Sequence, residues 1–551
     1  MDRRFLLAVG LMVAVLVVPP LFMKRPAPKR PVAADTLAAR GPVPEAPANA
    51  GVAAPAAAAP AVPVLAAAAR TDDTVTLGRR DAAYRFSARG AALEQATFPR
   101  LRNYRPGERG MVQLVRSDDR MLAHRLVVGA DTVRFDSVPF AIGRLGDTLR
   151  MTGRSGALTE SIAVSEVPGR PYLLDIRGEL SGLDGRGALL ILGLGNGFAN
   201  VEADSLDNYR HYGVAVRRTT PDNHYFRSVD SGVTQALDGP FDWVAVKSKY
   251  FIGALLSPDS TQPQLGGAIL VGGRRTGRGI APTLGTSTTM AVGPDGRFHY
   301  QLYLGPAMPD ALRPLGRDLD RASPYGWIFR PIVMPVAVWI TRLFLWMHEH
   351  LHLSYGFVLV VFGVMVRLLL WPLNQRAMKS QVAMMAVQPI LKDLQTRYKN
   401  DQQKLQAEMM KVYKEHHVNP LGGCLPLLLP MPILLALFFV FANTIELRGA
   451  PFLWLPDLSL RDPLFVTPVV MGLSMFALSK LSQSGMPPNP QAKTMTYVMP
   501  VMMTVLFVNF ASGLNLYYAV SNLVSLPQQY LINKARLAEI SRRQVSGGGK
   551  G

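Results

Sequence analysis

The chain has 551 residues, and its 59 Lys and Arg against 39 Asp and Glu give a formal net charge of +20. That charge sits on a background that is 49% hydrophobic and only 18% charged, with 24 Met, so membrane segments with basic flanks explain it better than a nucleic-acid surface does. The single Cys, Cys424, excludes an intrachain disulfide, and the composition excludes collagen-like and wholly disordered classes.

In chain order, the first apolar stretch runs from Phe5 to Phe22 behind Arg3 and Arg4. No small-residue cleavage site closes it, and Pro19, Pro20, Lys24 and Arg25 follow. Residues 1–24 are therefore predicted to be an uncleaved transmembrane anchor rather than a signal peptide. Residues 25–70 are nearly all Ala, Pro, Val and Gly, which bury no core and predict a disordered linker. Over residues 71–322 the pattern becomes alternating, as in Phe298, Tyr300, Leu302 and Leu304 against His299 and Gln301. Asp184-Gly185, Asn196-Gly197, Asp238-Gly239 and Asp295-Gly296 read as hairpin signals, and together these features predict one large antiparallel β-sandwich. His124, His211, His224 and His299 are scattered through it without metal-ligand spacing and are read as structural.

Residues 323–353 interleave Trp327, Trp339 and Trp346 with Arg330, Arg342 and three His, a pattern for an amphipathic helix lying in the membrane interface. Five spans are predicted after it, at 354–373, 418–443, 464–481, 494–511 and 512–530, the last two forming a tight hairpin at Ser512 and Gly513. The segment 374–417 carries Arg376, Lys379, Lys392, Arg397, Lys399, Lys404, Lys411 and Lys414, whereas the loop 444–463 has only Arg448 and Arg461. An excess of Lys and Arg marks the cytoplasmic side. By parity the loop 482–493, the tail 531–551 and both termini are cytoplasmic, and residues 25–353 lie outside. Within 374–417 the helix formers break near Asn400-Asp401, with Leu405, Met409 and Val412 at helical spacing. Two antiparallel amphipathic helices are expected, which either only enforce topology or also dock anionic lipid headgroups or a ribosome.

Arg367 stands inside a predicted span, where an unpaired cation costs about 2.5–3.5 kcal/mol. It either snorkels to the headgroups or faces a water-filled cavity. The last span favours the cavity, because Asn515, Tyr518, Asn522 and Ser525 fall at i, i+3, i+7 and i+10 and form one polar stripe. Leu427, Met431, Leu434 and Phe438 make an apolar stripe on the third span, as do Pro500, Met503 and Phe507 on the fifth. These are either ordinary packing or, with the Met enrichment, a surface adaptable to varied apolar partners. His348-Glu349-His350-Leu351-His352 satisfies the zinc-protease pattern HExxH but has no evident third ligand, so it is read as a polar helix end. No GxxxxGK[ST] loop is present, and no nucleotide, metal or other cofactor is expected.

Four stretches carry a resemblance: VNPLGGCLPLLLPMPILLALFFVF (Val418–Phe441), FLWLPDLSLRDPLFVTPVVMG (Phe452–Gly472), VRLLLWPL around Arg367, and SGLNLYYAVSNLVSLPQQ (Ser512–Gln529). In this order they resemble the YidC/Oxa/Alb membrane protein insertases, over the region from Tyr325 to the tail. The anchor and the large β insert resemble the Gram-negative bacterial form. The resemblance implies a polytopic α-helical membrane protein of the bacterial inner membrane, with an N-terminal anchor, a five-helix core and a large periplasmic all-β supersandwich. It also implies a hydrophilic groove open to cytoplasm and lipid, made positive by Arg367, with Tyr518 at a groove position. Met431, Leu434, Met503 and Phe507 would form a greasy slide along which a substrate helix leaves. Nascent membrane proteins are the implied clients and the Sec translocon the implied partner. Gly363, one turn before Arg367, departs from relatives that carry a hydroxyl there, and the short, mildly basic tail weakens ribosome tethering through it. Two other readings stay open from the residues: a small-solute transporter, which Pro426, Pro430 and Pro432 suit but which lacks an inverted repeat, and a periplasmic enzyme using the β domain or HExxH.

Overall fold

The computed structural model describes residues 74–78, 80–116, 119–218, 223–227, 229–258, 265–274, 281–322, 330–416, 431–484 and 490–547. The expected anchor over 1–24, the linker over 25–70 and Leu427 lie outside these residues.

Residues 74–306 are built mainly from antiparallel strands in two sheets. A small four-stranded sheet holds Thr74–Leu77, Ala83–Ser87, Leu93–Arg102 and Met111–Gln113 in that order. The large sheet has 15 strands, from His124–Val128 to Arg297–Pro306. Its central strands Phe241–Lys247 and Phe251–Leu256 are buried at every position. One face packs in the main core. The other packs Trp243, Ile252 and Ala254 under the short helix α2 (Pro309–Leu312) and the turns that follow it. A second short helix, α1 (Ser205–Arg210), interrupts the strands. Alternation along Arg297–Pro306 matches burial, with Phe298, Tyr300 and Leu302 inside and His299 and Gln301 half-buried.

The turn chemistry differs from expectation. Asp184-Gly185, Asp238-Gly239 and Asp295-Gly296 each join strands that are not paired to one another, and Asn196-Gly197 leads out of a strand toward α1. Asp184-Gly185 and Asp295-Gly296 lie in local turns, closed by the Arg186 N–H to the Leu183 carbonyl and the Gly296 N–H to the Gly293 carbonyl, but the next strand pairs elsewhere in the sheet. Asp238-Gly239 makes no reversal, since Leu237 and Phe241 both pair antiparallel with the strand Leu265–Gly272. The tight hairpins instead use Gly129-Ala130, Gly146-Asp147 and Gly156-Ala157, two-residue loops closed by the pairs Val128/Asp131, Leu145/Thr148 and Ser155/Leu158. In each the glycine has φ near +60° and the second residue does not share the positive sign. That is a type II′ turn, which requires glycine at the first central position.

Among the described residues seven helices follow: α3 (Arg330–Leu351), α4 (Tyr355–Arg397), α5 (Gln402–Glu415), α6 (Met431–Asn443), α7 (Val466–Ser482), α8 (Pro490–Phe507) and α9 (Ser512–Gly547). By length and composition Pro331–Leu351 and Tyr355–Leu373 can each cross a membrane, while Met431–Asn443, Val466–Ser482 and Thr496–Phe507 are apolar but shorter. The expected interfacial helix is thus also long and apolar enough to span. α4 runs unbroken for 43 residues, roughly 65 Å, so the second expected span and the first arm of the basic hairpin are one rod. The break near Asn400-Asp401 is present. Asp401 caps α5 by accepting from the Lys404 N–H at 3.0 Å, and Val387, Leu391 and Val412 close the hairpin. Large apolar side chains stay exposed along the other helices: Leu368 and Leu369 on α4, Leu473 on α7, and Val501 and Val505 on α8. Large exposed apolar side chains of this kind are what a lipid-facing bundle presents.

The loop from Thr444 to Pro463 is tightly held. Asp462 is buried and accepts from the N–H groups of Leu464 (2.9 Å) and Thr467 (2.6 Å) and from Trp454 Nε1 (3.3 Å), fixing the entry to α7. Burial by itself raises this carboxyl, but the donors outweigh it and hold the pKa below the ordinary value. The stabilisation is therefore complete above about pH 4 and is lost as pH falls through the lowered folded pKa. Asp462→Ala is expected to cost about 1–2 kcal/mol at pH 7. Thermal melts should show the gap to the parent closing in acid, and a gap of constant size would contradict the assignment.

Candidate functional site

Arg367 lies on α4 and reaches across to α9, where its Nε donates to Ser521 Oγ at 2.6 Å. Among the described residues no carboxylate pairs with it, and Tyr517 and Tyr518 on α9 are close enough to interact with its charge. A hydroxyl partner leaves the positive charge uncompensated, unlike a carboxylate. Gly363, one turn earlier, explains the close approach of the two helices. A Cβ there would meet Val520 Cγ1 at 3.2 Å and Tyr517 Cδ2 at 3.6 Å, so even a methyl group would need Val520 to give by a few tenths of an ångström. Tyr517 is buried against Phe362, with ring centroids 5.8 Å apart.

The polar stripe of the last span divides between neighbours. Asn515 is fully buried and its Nδ2 donates to the Phe507 carbonyl at 3.1 Å, tying α9 to the end of α8. Asn522 Nδ2 donates to Ser474 Oγ on α7 at 3.2 Å. Ser525 Oγ donates back to the Ser521 carbonyl at 2.7 Å. Tyr518 is half-buried and turns its ring toward Phe507, 5.9 Å away. Ser521 was not singled out by the stripe. Its signal was its place one turn beyond Tyr517, on the face toward α4.

The apolar residues form a connected row. Phe438 on α6, 36% exposed, contacts Phe510 edge-on at 5.6 Å. Phe510 in turn lies 4.9 Å from Phe507, which contacts Tyr518. Aromatic contacts therefore run from an exposed site on α6 to the tyrosine beside Arg367. Leu434 and Met503 are half-buried against the same core, and Met431 is half-buried at the start of α6. Phe510, which joins the two expected stripes, belongs to neither.

The HExxH residues do not share one helical face. α3 ends at Leu351, and His352 lies beyond it with φ +53°. His348 stacks on Tyr355 at 4.2 Å and its Nδ1–H donates to the Leu353 carbonyl at 2.7 Å. Among the described residues no group of three or more His, Cys, Asp or Glu is placed to hold a metal.

Residues 199–347 match the family model of the YidC periplasmic domain, and residues 346–539 match that of the 60 kDa inner membrane protein. A membrane protein insertase YidC from Chlorobium luteolum is 32% identical over 444 residues, covering 74% of this chain and 68% of that protein. The chain belongs to the YidC/Oxa/Alb insertase family. The Chlorobaculum tepidum YidC aligns over 97% of this chain and 95% of its own length at 29% identity. The Chlorobium phaeovibrioides YidC is 36% identical over 60% of this chain, a match that spans 59% of that relative. The two family models meet at residues 346–347, near the end of α3, where β-domain matching gives way to insertase-core matching.

Proposed function

We propose that this chain inserts nascent membrane proteins into the bacterial inner membrane and helps them fold, alone or with the Sec translocon. In this reading the β domain is periplasmic, both termini are cytoplasmic, and five spans surround a hydrophilic groove. The observation that carries it is Arg367 held by a hydroxyl, so that its full positive charge is available between α4 and α9. An acidic or polar end of a client enters beside Arg367, shortening its path through hydrocarbon. Its apolar segment then leaves along Tyr518, Phe507, Phe510 and Phe438 into lipid, worth roughly 0.3–0.6 kcal/mol per Leu-like residue. Membrane potential adds about 2.3 kcal/mol per charge per 100 mV for an acidic end. The step needs no nucleotide. Long polar loops exceed the groove and call on the Sec translocon, while the basic hairpin of α4 and α5 meets anionic lipid and, weakly, the ribosome together with the tail.

A photo-crosslinking residue placed at Phe438 or Met503, and for comparison at exposed Leu145 of the β domain, tests this during translation of a short single-span client. Adducts are expected at the first two positions while the client is nascent, and none at Leu145. Expressed, folded protein with no adduct at Phe438 or Met503 would remove the exit path and favour a solute transporter.

A further inference from the structure

Arg448 belongs to the loop between α6 and α7, yet its guanidinium is buried in the β domain. Its Nε donates to Glu202 Oε2 at 2.7 Å, and its other nitrogens donate to the carbonyls of Val201, at 2.6 Å, and Arg102. It also lies 4.7 Å from the centre of the Tyr104 ring. Both charged side chains are almost out of water, at 3% and 8% exposure. Burial pushes the Glu202 carboxyl above its ordinary value against the pull of Arg448. Gly449 follows with φ +68°, where a Cβ would strike the Tyr104 hydroxyl, so the chain can turn against that ring only as glycine.

The same loop grips the start of α9. The Leu458 N–H donates to the Ala450 carbonyl at 3.0 Å. Leu458 and Leu460 then offer their own carbonyls to the N–H groups of Gly513 (2.9 Å) and Ser512 (2.6 Å). Ser512 Oγ donates to the Asp457 carbonyl at 3.2 Å. These are first-turn groups of α9, which lack partners within the helix. From Gly513 to Ser521 is roughly 12 Å along the axis, and Ser521 holds Arg367.

We propose that Arg448 is a positioning residue for insertion: it fastens the loop to the β domain, and the loop sets the depth and rotation of α9 so that Tyr518 and Ser521 meet Arg367. This rests on the groove reading of the Arg367 site. Removing one partner of a buried pair leaves the other charge uncompensated, so the loop separates from the domain and the first turns of α9 loosen.

Amide hydrogen exchange of the full chain in lipid nanodiscs tests it, comparing the parent with Arg448→Met, Arg448→Lys and Glu202→Gln. Exchange over Leu514–Ser521 is expected to be about tenfold faster in Arg448→Met and closer to the parent in Arg448→Lys, with strand Leu173–Ser181 unchanged. Insertion of a short-tailed client should fall in the Met variant and partly recover in the Lys variant. Unchanged exchange over Leu514–Ser521 would overturn the proposal, as would loosened exchange with insertion at the parent rate. If Arg448→Met fails to fold, Glu202→Gln makes the same comparison from the other side of the pair. Failure of the parent to insert any client would instead defeat the groove reading and leave the exchange result to stand.

Discussion

Arg367→Ala is expected to lower insertion of clients with acidic translocated ends by about 10- to 100-fold, the equivalent of losing a charged hydrogen-bonding group worth roughly 1.5–3 kcal/mol. The substitution removes the cation and leaves Ser521 Oγ without its donor. It should reduce abundance or melting temperature far less, because the side chain is half-buried and contributes little to the apolar core around Phe362, Tyr517 and Phe441. Arg367→Lys keeps the charge but replaces a planar fork by a single ammonium, so partial activity is expected. The measurement is protease protection of newly inserted clients in proteoliposomes, with acidic and neutral tails compared. Clients with neutral tails should be affected least. Equal insertion of every client by the Ala variant would leave Arg367 with only a packing role.

Phe98→Ala should unfold the β domain more readily, by about 3–5 kcal/mol. For a domain of this size that corresponds to a fall of roughly 6–20 °C in its melting temperature. Phe98 belongs to the small sheet and is fully buried. Its ring meets Tyr84 at 6.5 Å within that sheet, and Phe251 at 6.0 Å and Tyr172 at 5.9 Å on the side of the large one. Tyr84 crosses the same boundary by donating its hydroxyl to the Leu304 carbonyl at 2.8 Å. Truncation therefore opens a cavity where the two sheets join, a place with little freedom to collapse. Calorimetry of the full chain would follow the domain's own transition. An unchanged transition would show that the sheets are held together elsewhere. Phe251 also lies 5.9 Å from the Arg448 guanidinium, so the same truncation should loosen the loop that Arg448 fastens.

Some of this was legible because it is local. Alternation along Arg297–Pro306 reports which face meets the core, and the apolar runs report which helices are apolar enough, by composition, to be candidates for crossing a membrane. The break at Asn400-Asp401 follows from an N-cap side chain that acts within its own turn. Arg367 stood out because a cation in an apolar run is costly whatever surrounds it. The dipeptides Asp184-Gly185 and Asp295-Gly296 misled for the complementary reason: they encode a reversal of direction but not the strand that will pair next.

By itself the sequence determined the β and helical halves, the basic hairpin, the exposed apolar surface and Arg367 as a costly cation in an apolar run, because periodicity and transfer free energy act residue by residue. Only the tertiary structure decided that Ser521 rather than a carboxylate meets Arg367, that Phe510 joins the two apolar stripes, that α4 is continuous, and that Arg448 ties the outer loop to Glu202. Those partners lie as far as 246 positions apart. No local pattern marks such a pair, since each side chain's surroundings are set by which elements pack together.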